Sequence, residues 1–472
     1  MGLCPHERAG RHCILYYPLF LLVTITLAIP VCAPAQEASQ PACRVESVAF
    51  EGWQAQQLSN AWVKLVVVPQ LGGRVMQVYF DNHPYLFINS KYRGQYFPPS
   101  AAGAKHRWFN YGGDKIWPMP EGDQDEHHWP GPISDPLDDG DYSFHVLSLV
   151  PDCRIRLDGP PDPKTGLQYS REIAVAGDSP EIRFHAVMRN IADHPIQWSM
   201  QSVTQYDTSD PHDSTDYNHD FWAFAPANPN SVYPERFHVR AGLADDPSFR
   251  IREGVFSLHW LPLENEVWLD STAGWLAVVD HGSKYGMVEH FHFFPDEEYP
   301  GKATVIFYKN GSAVEMSEQG FPVLTSPHPD EPLRYMEAEL NSPIVKLAPG
   351  QSYAMDTEWH PFRTGEEVLA VSDAGATATF LEAARTPQGV HLRGAFGIFF
   401  PGRLEAQLLD AKEAKLSSIP LQSVVVSKPV ELDQTIAAPD TVSEVSIHLI
   451  DKHGKDRGTL ATAAINLTDK NP

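Results

Sequence analysis

The chain has 472 residues, 42% of them hydrophobic, with 36 basic against 60 acidic side chains and a net charge of −24. That length is long for one domain and supplies enough core-forming material for two. So acidic a balance, with no basic run to interrupt it, repels phosphate backbones and anionic lipid, which excludes nucleic acid and membrane surfaces as partners and makes a polyanionic glycan a poor ligand.

The N-terminus reads as a secretory signal over residues 1–35. Arg8 and Arg11 precede an apolar run from Ile14 to Ile29, and Ala33-Pro34-Ala35 offers small residues for cleavage before Gln36. Pro18 and Pro30 interrupt the run, which falls short of the about 20 apolar residues a spanning helix needs. The expectation is cleavage, no stable membrane insertion, and a periplasmic or extracellular location. Ile29-Pro30-Val31 lacks the small residue that lipid attachment at Cys32 would require. Cleavage removes two basic residues and one acidic one, taking the charge from −24 to −25. It also removes Cys4, Cys13 and Cys32, leaving Cys43 and Cys153. These two form one disulfide or remain two buried thiols, and sequence leaves both open.

Beyond the signal, short β-branched and aromatic runs alternate with Gly, Pro, Asn and Asp, and almost nothing holds a helical period. A strand is expected over Trp62–Pro69, then the Leu71-Gly72-Gly73 turn and a hairpin of Arg74–Phe80 with Tyr85–Asn89. Further strands are expected over Tyr142–Leu149, Gln168–Ala174, Glu181–Arg189, Gln197–Tyr206, Val255–Trp260, Gly274–Asp280, Gly286–Phe294, Thr304–Lys309, Tyr335–Glu339 and Tyr353–Trp359. The fold class is all-β, a large antiparallel sandwich over residues 36–365. A charged, small-residue stretch around residue 370 separates it from a small immunoglobulin-like sandwich over 371–472, with strands at Gly389–Arg393, Gly402–Leu409, Leu421–Val426 and Val442–Ile450.

The densest chemistry runs from His106 through Arg107, Trp108, Phe109, Asn110, Tyr111, Gly112-Gly113, Asp114, Lys115 and Trp117 to Glu121, Asp123, Asp125, Glu126, His127, His128 and Trp129. It reads as a long loop in which aromatic rings offer faces to sugar C–H bonds and polar groups pair with hydroxyls. The alternative is a loop whose tryptophans fill the core. Asp135, Asp138, Asp139 and Asp141 follow; they are either a Ca²⁺ turn or a solvated acidic turn, and their spacing is not that of an EF-hand. No other metal or cofactor is expected. His290 with His292, and Glu337 with Glu339, share a face if their segments are strands. The imidazoles suit metal ligation or acid–base work, and paired carboxylates raise one another's pKa.

Two stretches, Val66-Val67-Val68-Pro69-Gln70-Leu71-Gly72-Gly73-Arg74-Val75 and Tyr111-Gly112-Gly113-Asp114-Lys115-Ile116-Trp117-Pro118, carry a family likeness. So does the ending Tyr335-Met336-Glu337-Ala338-Glu339-Leu340-Asn341-Ser342-Pro343, with Leu347-Ala348-Pro349-Gly350 and Trp359. Over about residues 45–362 the chain resembles a bacterial branch of the galactose-mutarotase-like (aldose 1-epimerase-like) superfamily. The resemblance implies a sugar-handling protein in which Glu337 or Glu339 is the general base, with Arg74, Trp108, Asp114, Lys115, Trp117 and Gln205 around the carbohydrate. The family's mid-chain histidine has no counterpart in Gln197–Gln205. The acid is therefore sought among His106, His127, His128, His290 and His292. A non-catalytic glycan-binding protein is the second expectation. The third is a lyase or hydrolase on the same sandwich, with Arg74, Arg107 and Lys115 as candidates to neutralise a uronate.

Overall fold

The computed structural model describes residues 42–99, 108–122, 127–213, 215–316, 322–325 and 333–466. The expected signal, residues 1–35, lies outside the described residues, as do His106, Arg107, Asp123, Asp125 and Glu126. Among the described residues, one short helix (Pro136–Asp139) and two 3-10 turns interrupt a chain made otherwise of strands and loops.

Two large antiparallel sheets build the first part. The twelve-stranded one runs Arg44–Phe50, Trp53–Ser59, Val63–Val68, Arg74–Phe80, Asp114–Met119, Ile196–Asp207, Tyr335–Asn341, Val305–Lys309, Asn265–Leu269, His238–Gly242, with His83–Pro84 and Val345–Leu347 pairing beside that path. The ten-stranded one runs Phe249–Arg252, Val255–His259, Phe221–Pro226, Trp275–Asp280, Tyr285–Phe291, Ser352–Arg363, Ile182–Asn190, Leu167–Val175, Cys153–Asp158, Ser143–Ser148. An eight-stranded sheet takes every strand from Ala370 to Asn466, and its Gly375–Thr386 and Asp456–Asn466 strands pair in parallel.

Strand alternation decides what each face does. Along Ile196–Asp207, Ser202, Thr204 and Tyr206 point between the large sheets, where Tyr206 donates to Glu289 at 2.7 Å and Thr204 to Asp114 at 3.2 Å. Asp114 is also ion-paired with Arg171 of the facing sheet. Gln201 and Gln205 point the other way, to the outer face, where they meet the two glutamates. Cys43 and Cys153 are bonded, 5.8 Å between Cα atoms, and join the start of one sheet to the other. The core continues into the last sheet, with Phe362 6.0 Å from Phe399.

Two expectations change. Asp114–Met119 is a strand, not loop, because it is inserted between Arg74–Phe80 and Ile196–Asp207 in the sheet. Gly112 and Gly113, both at positive φ, make its tight entry; a Cβ on Gly112 would sit 2.1 Å from the Phe87 carbonyl oxygen. The acidic turn is not solvated either: Asp135, Asp138 and Asp139 are buried, and their cation is Arg74, 2.7 Å from Asp138 and 3.5 Å from Asp139.

Candidate functional site

Six adjacent strands of the large sheet present their outer faces to one cleft of about 320 Å³, near the lower bound of small-molecule sites. Register sets the arrangement. Trp117 stands opposite Gln201, Gln205 opposite Glu337 and Val203 opposite Glu339. Next come Ile306 and Tyr308, then Glu266 and Trp268. Trp108 and Trp117 form one wall, and Trp268 with Arg240 the other.

The glutamates differ in their surroundings. Glu337 accepts from the Gln205 amide at 2.7 Å and lies 3.6 Å from the Lys115 ammonium. That ammonium is buried over the Trp117 ring, 4.3 Å from its centroid, and 5.7 Å from that of Trp108. Burial pulls the Lys115 pKa down while Glu337 opposes the shift. Glu339 accepts from the Gln201 amide at 2.5 Å. Burial first, and then the charges of Glu337, Glu266 and Glu121, hold its carboxyl well above the usual carboxylate range. The two carboxyls thus sit in unlike surroundings, Glu339 among other carboxylates and Glu337 beside an ammonium, an asymmetry that acid–base chemistry can use. The Trp108 indole nitrogen, Lys115 Nζ and Gln205 Oε1 have no hydrogen-bond partner among the described residues. Of these, Trp108 lines the cleft, while Lys115 and Gln205 sit behind Glu337.

Of the residues singled out from sequence, the cleft brings together Trp108, Trp117, Glu337 and Glu339, with Gln205 and the adjoining Lys115 holding Glu337 from behind. Asp114 is not at the cleft; alternation turns it inward to Arg171. Arg74 does not line it but acts beneath it, since Asp138 accepts from both Arg74 and the Trp117 indole at 2.7 Å. His290 lies on a strand of the other sheet, which ends at Phe291, so His292 falls in the loop beyond it and the two do not share a strand face; His127 and His128 are not among the lining residues. Gln201, Arg240, Glu266, Trp268 and Tyr308 were not singled out. For Glu266 and Trp268 the signal was the alternation of Asn265-Glu266-Val267-Trp268-Leu269, whose Val267 and Leu269 are buried.

A larger cavity, about 600 Å³, is lined by His83, Asp207, Asp210, Asp280 and Tyr285 among others. Its polar groups are engaged locally: Asp207, Asp210 and Asp280 accept from backbone amides of their own turns, and His83 stacks flat on Tyr285 at 4.1 Å. The smaller cleft, with its neighbouring glutamates in unlike surroundings and the Trp108 indole unpaired among the described residues, is the better reaction site.

No protein-family model matches the chain, and no curated protein does. Among solved structures it is similar to a TPR-domain containing protein from Parabacteroides distasonis, at 13% identity and a TM-score of 0.44, covering 68% of this chain and 49% of that one. It therefore spans about half the length of that protein. It is similar to a protein from Synechocystis at 12% identity and a TM-score of 0.44, covering 68% and 100%. It is also similar to a galactose mutarotase-like protein from Clostridium acetobutylicum at 9% identity and a TM-score of 0.42, covering 68% and 98%.

Proposed function

We propose that the cleft receives a neutral sugar and that Glu339 and Glu337 move protons at its anomeric centre, in a protein exported from the cytoplasm. Glu339, protonated, donates to the ring oxygen as the C1–O5 bond breaks, while Glu337 takes the proton from the O1 hydroxyl. The open-chain aldehyde turns about C1–C2. Ring closure on its other face returns both protons and inverts the anomer, so no net atoms are gained or lost.

The observation that carries this reading is the contrast between the neighbouring carboxyls: an ammonium beside Glu337, and other carboxylates around a buried Glu339. Five glutamates (121, 264, 266, 337 and 339) line the cleft against Arg240 and the adjoining Lys115, which favours a neutral sugar over a uronate and so disfavours a lyase. Export is supported by residues 1–35 and by the Cys43–Cys153 bond, since disulfides persist in oxidising compartments. Glycan binding without turnover is the second reading. It is favoured by the amide hydrogen bonds both glutamates already receive, and by the lack of a histidine among the described residues lining the cleft.

The test is a titration with neutral and acidic monosaccharides and their methyl glycosides, followed by tryptophan fluorescence. A saturable response to a neutral sugar, weakened in Trp268→Ala, supports the site. No response to any sugar contradicts it.

A further inference from the structure

On the ten-stranded sheet, away from the cleft, His290, Glu358 and His360 converge. Register places them: His290 stands directly opposite Glu358, and His360 follows Glu358 by two residues on the same face. One ligand atom from each lies within 4.8 Å of the other two. We propose that this triad binds a divalent transition-metal ion of the zinc class, with two imidazoles and one carboxylate as ligands and a position left open for water.

The spacing suits such an ion. Donors about 2.1 Å from a tetrahedral centre sit about 3.4 Å apart, and His360 Nε2 is 3.4 Å from Glu358 Oε2. The remaining donor separations are within 4.8 Å. His360 is 2% exposed, and its Nδ1 has no partner among the described residues. Phe399 stacks on His360 at 4.5 Å and meets His290 edge-on at 5.9 Å, which gives the site an apolar wall. Arg183, opposite Glu358 on the next strand, is already ion-paired with Glu181 and Asp152. Imidazole ligands select zinc-like ions over Ca²⁺ or Mg²⁺. His292 is not a ligand; its ring packs on Phe294 at 4.4 Å.

The untagged protein, stripped with EDTA and dialysed, is titrated with Zn²⁺ and with Co²⁺ by calorimetry and visible absorption. One equivalent per chain is expected, with Co²⁺ giving d–d bands of a low-coordinate site and Zn²⁺ raising the melting temperature. Glu358→Gln and His290→Gln, both at half-buried positions that tolerate an amide, are each expected to weaken binding at least about tenfold, the loss that even outer-shell changes cause. His185→Gln, which alters the exposed His185–Asp356 pair of the same sheet, is expected to leave it unchanged. Absence of saturable uptake by the unaltered protein overturns the proposal, as does unchanged affinity in both triad variants. Neither outcome bears on the sugar cleft.

Discussion

Lys115 and Glu337 stand 3.6 Å apart on the outer face of the large sheet, both almost wholly buried, with Gln205 donating to the same carboxylate. Breaking such a pair from one side leaves a charge without its partner, at a cost of about 3–5 kcal/mol. Lys115→Met is therefore expected to lower stability by that amount. Lys115→Met/Glu337→Gln recovers most of it, because no lone charge remains. Urea denaturation of the two singles and the double measures the coupling.

Asp114 and Arg171 form the analogous pair between the two sheets. Asp114→Asn is expected to cost about 3–5 kcal/mol in stability, while the folded protein still takes up sugar with unchanged affinity. A variant that folds normally but loses sugar would return Asp114 to the binding site.

Glu289 is buried against the Tyr206 hydroxyl, and burial pushes its pKa up from 4.5 to about 8. Between those values the folded state holds a proton that the unfolded chain has released. Its contribution to stability is therefore full below the unfolded value, falls as pH rises through the window, and levels off above about 8. Glu289→Gln is expected to flatten that decline and to melt higher than the parent at alkaline pH. Thermal melts across the window measure it; parallel profiles for the two proteins would remove Glu289 as the cause.

The Cys43–Cys153 bond closes a sequence separation of 110 residues. Reduction, or Cys153→Ala, is expected to destabilise the protein by about 2–5 kcal/mol. Denaturant melts with and without reductant check this, and the alanine variant should show no further response to reductant.

Strands with two unlike faces were legible from sequence. Arg74–Phe80 and Gly402–Leu409 have their expected bounds, and Ile196–Asp207 and Tyr335–Asn341 exceed theirs by a residue or two at an end. The edge hairpin Arg44–Phe50 with Trp53–Ser59 was not, because Arg44–Phe50 is exposed or half-buried throughout and shows no hydrophobic face. Asp114–Met119 escaped because Pro118 and the preceding glycines read as loop. Glu337 and Glu339 stood out because carboxylates in an apolar strand demand partners. The partners themselves, Gln201, Gln205 and Lys115, are set by pairing between strands distant in sequence. The same pairing directs His290 to Glu358 and His360 instead of toward the glutamates.

The most direct measurement is anomer exchange of a bound neutral sugar, followed by two-dimensional exchange NMR at matched occupancy in the parent protein, Glu337→Gln and Glu339→Gln. Acid–base action by the pair requires faster exchange with the parent and a loss of about 10²–10⁴-fold in each variant, with sugar still bound. A parent protein that binds sugar without accelerating exchange, or variants that match the parent, would contradict it.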